Sequence, residues 1–151
     1  MADGTLERIA RASGEATAYL RDHPEHALSQ DLPATAGLVG GLRCRVVHPK
    51  IGTVIESDMV RGIGGEGAAP TPGWLLRAAL ATCDATMIAL RAAQEGISLT
   101  TLEVTATSES DDRGLRGAGD APAGPLRGQG QVRLAADGVP GASLQAIVEW
   151  A

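Results

Sequence analysis

The sequence predicts an α+β fold in a single domain. Three observations carry this. A capped, largely apolar helix occupies residues 71–96, β-branched alternating segments lie on both sides of it, and no composition shift or internal repeat divides the 151 residues. A chain of this length can bury a sizeable core. Apolar residues make up 44 % and aromatics only 2 %, with no Phe, so Leu, Val, Ile and Ala must fill that core.

Leu6, Ile9, Ala10, Ala16 and Leu20 keep a rough helical period, which predicts a helix over residues 5–19 that His23-Pro24-Glu25-His26 breaks. Residues 1–30 read as an N-terminal helical arm and residues 31–151 as the single domain. Within 36–63 the signals turn strand-like. Leu42, Cys44 and Val46 alternate with Arg43, Arg45 and Val47; residues 48–52 form a turn; residues 53–57 are a second β-branched run. An antiparallel hairpin or meander is expected. Residues 62–69 are Gly-rich and read as a flexible surface connection. No Lys-Ser/Thr follows them, so they are not a phosphate-cradling loop.

The central helix then begins with Thr71 as N-cap and Pro72 at the first helical position, and Gly96 stops it. Residues 102–107 read as a strand, 111–130 as a long loop and 131–135 as another strand ended by Asp137-Gly138. From Gly141 a last helix sets Leu144, Ile147 and Val148 on one side.

Several function classes fall away. A net charge of −5 with interspersed Arg and acids gives no nucleic-acid surface. No apolar run reads as long enough to span a membrane, and charges interrupt residues 6–20, so no secretory leader is expected. Cys44 and Cys83 make no disulfide framework, which suits a cytoplasmic protein. No metal site is expected, because Pro24 separates His23 from His26 and no acid or Cys cluster joins them. No cofactor motif and no nucleophile elbow are present.

Cys83, in the middle of the central helix, is the residue best suited to chemistry. It shares a face with Leu76, Ala79, Leu80, Met87 and Leu90. One reading makes it a small buried hydrophobe in the core. The other makes it a reactive thiolate. That reading needs a cation at the sulfur, since apolar burial disfavours the thiolate and the helix dipole fades after the first turn. Arg43, Arg45, Arg61 and Arg77 are the nearby cations; Arg77 points to another side of the helix, which favours an Arg from the strands.

The segment Gly64-Gly65-Glu66-Gly67-Ala68-Ala69-Pro70-Thr71-Pro72, followed by Leu75-Leu76-Arg77-Ala78-Ala79-Leu80-Ala81-Thr82-Cys83, resembles the OsmC/Ohr family. The likeness extends to Val39-Gly40-Gly41-Leu42-Arg43, to residues 96–107, and to Arg113-Gly114-Leu115-Arg116-Gly117, which is similar to a loop of some subgroups. The resemblance implies a curved antiparallel sheet around a long buried central helix, and an intertwined homodimer with sites at the subunit interface. It implies thiol-dependent reduction of organic hydroperoxides in oxidative-stress defence, the resulting sulfenic acid being resolved to a disulfide that a dithiol or lipoylated protein reduces.

Carried onto this chain, the resemblance makes Cys83 the attacking thiol and Arg43 its partner, with Arg45 as fallback. Trp74 and Met87 become walls of the substrate pocket. Two parts of the pattern have no counterpart. The family's Glu at the helix start falls on Gly73 or Trp74, and Glu66 replaces it only if its loop folds back. The late resolving cysteine and the final strand do not occur within these residues, and Cys44 resolves Cys83 only if strand and helix bring the two sulfurs together. The alternative function is therefore a dimer of the same fold without efficient peroxidase activity, binding a small apolar ligand.

Overall fold

The structure, a computed structural model, describes residues 3–151. The order of elements is α1 (Asp3–Asp22), β1 (Ala36–Gly40), β2 (Arg43–Val47), β3 (Val54–Ser57), α2 (Pro72–Gln94), β4 (Leu99–Ser110), α3 (Asp112–Leu115), β5 (Pro125–Ala136) and α4 (Gly141–Trp150). This is the expected mixed α+β architecture, with antiparallel strands and a long central helix. The strands fall into two sheets, β1-β2-β3 and β4-β5. The chain forms two compact units, one of residues up to Ala27 with Ala79–Ala151, the other Leu28–Ala78. Residues 1 and 2 of the expected arm lie outside the described residues.

In the first unit, β4 and β5 pair antiparallel, Leu102 opposite Leu134, Val104 opposite Val132 and Ala106 opposite Gly130. The two-residue period puts these pairs on one face. That face packs with Ile88 and Ala92 of α2, Leu99, and Ile147 of α4. Ile88 and Ile147 are fully enclosed. α2 ends as Gly96 takes φ +70 and the Ile97 N–H bonds the Ala92 carbonyl at 2.8 Å, a cap that glycine enters without strain. α1 is longer than its apolar period indicates. It is tied to α2 by Gln94 Nε2 donating to Ser13 Oγ at 2.5 Å. Residues 24–26 form a single 3₁₀ turn, where the expected break falls.

The two long strands exceed their expected bounds, β4 running over Leu99–Ser110 where 102–107 was expected. β5 begins at Pro125, so residues 125–130, expected in a loop, extend the ladder. Gly128 and Gly130 have little intrinsic strand preference, but pairing with Ser108 and Ala106 holds them. At Gly130 the strand passes near α2, where a Cβ would make ordinary contact with Asp84 Oδ2 at 3.9 Å.

α2 also departs from the expectation that no apolar run reaches membrane length. By length and composition alone it does. Asp84 interrupts it midway, and Ile88 and Ala92 are packed against the sheet and α4. Only one side of the helix is enclosed by the chain, and 6 % of that apolar stretch is buried.

In the second unit the expected meander forms. β2 pairs β1 and β3 antiparallel, with Arg45 opposite Glu56 and Cys44 opposite both Leu38 and Ser57. The turn after β2 is closed by the Gly52 N–H on the His48 carbonyl at 2.9 Å, and His48 Nδ1 accepts from the Lys50 N–H at 3.2 Å. The Thr71 cap is present, its Oγ1 accepting from the Trp74 N–H at 3.2 Å.

Candidate functional site

Cys83 is exposed, so it is not the buried hydrophobe of one sequence reading. The reason lies in which face of α2 the chain buries. From Ala79 onward, Ala81, Ala85, Ile88 and Ala92 follow the helical repeat along one side, and the last two are fully buried. Cys83 points the opposite way. Its neighbour on that side, Leu80, is 52 % exposed, and Met87 is half-buried. The bulky stripe that the spacing marked as core is the face turned away from the chain's own sheet.

Arg43 lies in the second unit. The ladder puts Arg43, Arg45 and Glu56 on one face of the meander. Glu56 accepts from both guanidiniums: from Arg43 Nη2 through Oε2, and from Arg45 Nε and Nη2 through Oε1 at 2.9 and 2.7 Å. These bonds hold the Glu56 carboxyl below the usual carboxylate range, Arg43's contribution being the largest. The Arg43 guanidinium is pushed up, first by its bond to Glu56 and then by the charge of the same group. Cys44 lies on the other face of β2, with Leu38 and Ser57, and so away from these guanidiniums.

Asp58, next but one to Glu56, is 1 % exposed and organises the Gly-rich loop. Its carboxylate accepts from the backbone N–H groups of Met59 at 2.7 Å, Glu66 at 3.1 Å and Ala68 at 3.0 Å. Its carboxyl is held below the ordinary value, the Ala68 N–H contributing most. The loop is thus a pinned structure rather than the flexible connection expected. It includes a 3₁₀ turn at Arg61–Ile63, and at Gly65 the backbone approaches so closely that a Cβ would lie 1.9 Å from the Met59 carbonyl oxygen.

The pinned loop and the meander enclose a cavity of about 500 Å³ whose wall includes Gly40, Gly41, Arg43, Arg45, Asp58 and Glu66. The loop therefore does fold back, and Glu66 reaches the cavity that holds Arg43. The acid bonded to Arg43 is nevertheless Glu56, while the Glu66 charge acts only through space. Sequence reasoning missed both Glu56 and Asp58. The one available signal for Glu56 was its place in a strand predicted to pair with the strand of Arg43.

Trp74, the other substrate-wall candidate, is 52 % exposed at the start of α2. Among the described residues no group of three His, Cys, Asp or Glu is placed to hold a metal. His23 and His26 stack with their planes 3° apart, and Tyr19 Oη lies 2.7 Å from His26 Nδ1, which gives these rings partners without a metal.

A capped central helix with an outward cysteine, preceded by a glycine loop folded over an arginine-lined cavity, defines a recognisable class. The sequence profile described as OsmC-like protein matches residues 65–151, more than half of the chain. The chain belongs to the OsmC-like family. Its fold is similar to that of an osmotic stress induced and detoxification response protein from Psychrobacter arcticus, at 22 % identity over 82 % of each chain with a TM-score of 0.57. It is also similar to an organic hydroperoxide resistance protein OsmC from Legionella pneumophila, at 21 % identity, covering 80 % of this chain and 82 % of that one, with a TM-score of 0.55. An organic hydroperoxide resistance protein from Vibrio cholerae, with captopril in one of its active sites, matches at 20 % identity, covering 82 % of this chain and 80 % of that one, with a TM-score of 0.51. No curated protein sequence matches the chain.

Proposed function

We propose that this protein reduces organic hydroperoxides with Cys83 as the attacking thiol and Arg43 as the guanidinium that orients the peroxide, in a homodimer. The observation that carries the reading is the placement of Cys83 on the uncovered face of α2, in a chain of the OsmC-like family. A core cysteine would have no access to substrate; this one does.

The Cys83 thiolate attacks the terminal oxygen of the hydroperoxide and the O–O bond breaks. The alkoxide takes a proton and leaves as the alcohol, and Cys83 becomes a sulfenic acid. One thiol of an external dithiol, free or on a lipoylated protein, attacks the sulfenic sulfur and releases water. Its second thiol then displaces Cys83, which returns as a thiol, and the dithiol leaves as a disulfide. Arg43 offers N–H donors to the peroxide oxygens as charge develops on the leaving group.

Leu80 beside Cys83 and Trp74 at the helix start are large apolar groups left half exposed. A second copy laid over α2 would cover them and turn Cys83 and Met87 toward an enclosed, largely apolar site. The same half-exposed groups, together with the lack of an acid at Gly73 and Trp74, favour a second reading, a dimer that binds a small apolar molecule without turning it over. The proposed setting is the cytoplasm, where both cysteines stay reduced.

The deciding experiment is loss of cumene hydroperoxide in the presence of dihydrolipoamide, with wild type and Cys83→Ser. Turnover by wild type and none by Cys83→Ser supports the enzyme. Equal turnover by both removes Cys83 from the mechanism. No turnover by either, with saturable binding of an apolar fluorophore, selects the second reading.

A further inference from the structure

Two guanidiniums share one carboxylate at the cavity wall, and they share it unequally. Arg45, directly opposite Glu56 in the β2–β3 ladder, grips Oε1 side-on through both Nε and Nη2. Arg43, two residues earlier on the same face, touches Oε2 by Nη2 alone. The Arg43 Nε–H is enclosed by protein and has no acceptor among the described residues. A guanidinium carries five N–H donors. Arg43 therefore spends one on Glu56, has one walled in, and keeps the rest at its outer end, at the wall of the cavity.

The charges are arranged to match. Two cations meet one carboxylate, so the trio keeps a net positive charge. Asp58 makes no bond to Arg43, its carboxylate being held by three backbone N–H groups, and its charge and that of Glu66 reach the guanidinium only through space. The start of α2 offers no acid, only Gly73 and Trp74.

We infer that Glu56 is the positioning residue for Arg43, fixing its inner edge so that its outer N–H groups face the cavity, and that Arg45 holds Glu56 in place. The inference rests on the reading of Arg43 as the guanidinium that meets the peroxide. Arg45 keeps three further N–H donors as Arg43 does, so the two arginines differ in their grip on Glu56, through two donors against one, and not in the number left over.

The test compares wild type with Glu56→Gln, which keeps the shape and removes the charge, and with Glu56→Asp, which keeps the charge. Phenylglyoxal modification of Arg43, followed by peptide mass spectrometry, reads whether the guanidinium is held. Dihydrolipoamide-dependent reduction of cumene hydroperoxide reads whether holding it matters. Arg43 should be modified severalfold faster in Glu56→Gln. kcat/KM should fall by about tenfold to a hundredfold, the scale of a misplaced orienting group, and Glu56→Asp should recover part of it.

Unchanged Arg43 labelling in Glu56→Gln overturns the inference. Faster labelling with undiminished turnover overturns it as well. Failure of Glu56→Gln to fold would make Glu56 purely structural, with the same result. Absence of turnover in wild type sinks the proposed function instead, and the labelling then still decides whether Glu56 holds Arg43.

Discussion

On α2 Ile88 is enclosed and Leu80 half exposed, and truncating each in turn tests which part of the helix surface the chain buries. Ile88 is 1 % exposed and packs with Ala92, Leu99 and Ile147. Ile88→Ala removes enclosed hydrocarbon and leaves a hole that rigid neighbours fill poorly, at about 2–5 kcal/mol. For a chain of this size each kcal/mol moves the melting temperature by about 2–4 °C, so a fall near ~10 °C is expected. Leu80 is 52 % exposed. Leu80→Ala gives up about half of the ~2 kcal/mol that full burial of a leucine yields, with no cavity term, so about 1 kcal/mol is at stake. The assay is scanning calorimetry of both variants at two protein concentrations a hundredfold apart. The Ile88→Ala loss should not depend on concentration. The Leu80→Ala loss should stay small in dilute protein and grow in concentrated protein, because the proposed second copy would cover Leu80 only in a dimer. If Leu80→Ala costs as much as Ile88→Ala in dilute protein, the outer face is covered by the chain itself and the placement of Cys83 is wrong.

The Asp58 and Glu56 carboxyls are both held below their ordinary values, so their bonds stabilise the fold above about pH 4, and that contribution is lost as pH falls through the folded-state values. Acid titration followed by circular dichroism should show a plateau from neutral pH to about pH 5 and a decline below about pH 4; Asp58→Asn should start less stable and decline less steeply, and an identical acid limb in that variant would contradict the role of Asp58. Gly65→Ala cannot keep a loop in which the new Cβ lies 1.9 Å from the Met59 carbonyl oxygen, so limited proteolysis should open residues 59–69 in the variant and spare wild type; equal resistance would contradict the pinned loop. Light scattering at micromolar concentration should give a dimer, and Leu80→Asp should shift it toward the monomer; a wild-type monomer would count against an interface site.

Much of the fold was legible in the sequence because local signals and tertiary packing agreed. Thr71, Pro72 and Gly96 mark the ends of α2 by chemistry that acts within one turn, and the structure uses each of them. The meander followed from alternation and the turn at 48–52. What was misread depends on partners far along the chain. α2 is apolar on two sides. Bulk made the Leu76, Leu80 and Leu90 side look like the core, yet the chain packs the side of Ile88 and Ala92 against Leu99, Ile147 and the strand residues. Residues 125–130 look like loop because glycine weakens a strand, and only their pairing with β4 makes them one.

The site was legible as cysteine and arginine, and illegible in its carboxylates. Nothing in the run Glu56-Ser57-Asp58 says that one acid turns to two arginines and the other to three backbone N–H groups. Strand alternation sends Glu56 to the face of Arg45, and the glycine loop closes on Asp58. Both outcomes are set by three-dimensional pairing, not by spacing in the chain.

The outward thiol of α2 is the group proposed to meet a hydroperoxide. The most direct test is to add one equivalent of cumene hydroperoxide to the reduced protein, trap sulfenic acid with dimedone, and locate the adduct by peptide mass spectrometry. The adduct is expected on Cys83 and none on Cys44. An adduct on Cys44, or an unmodified protein with the hydroperoxide left intact, would contradict it.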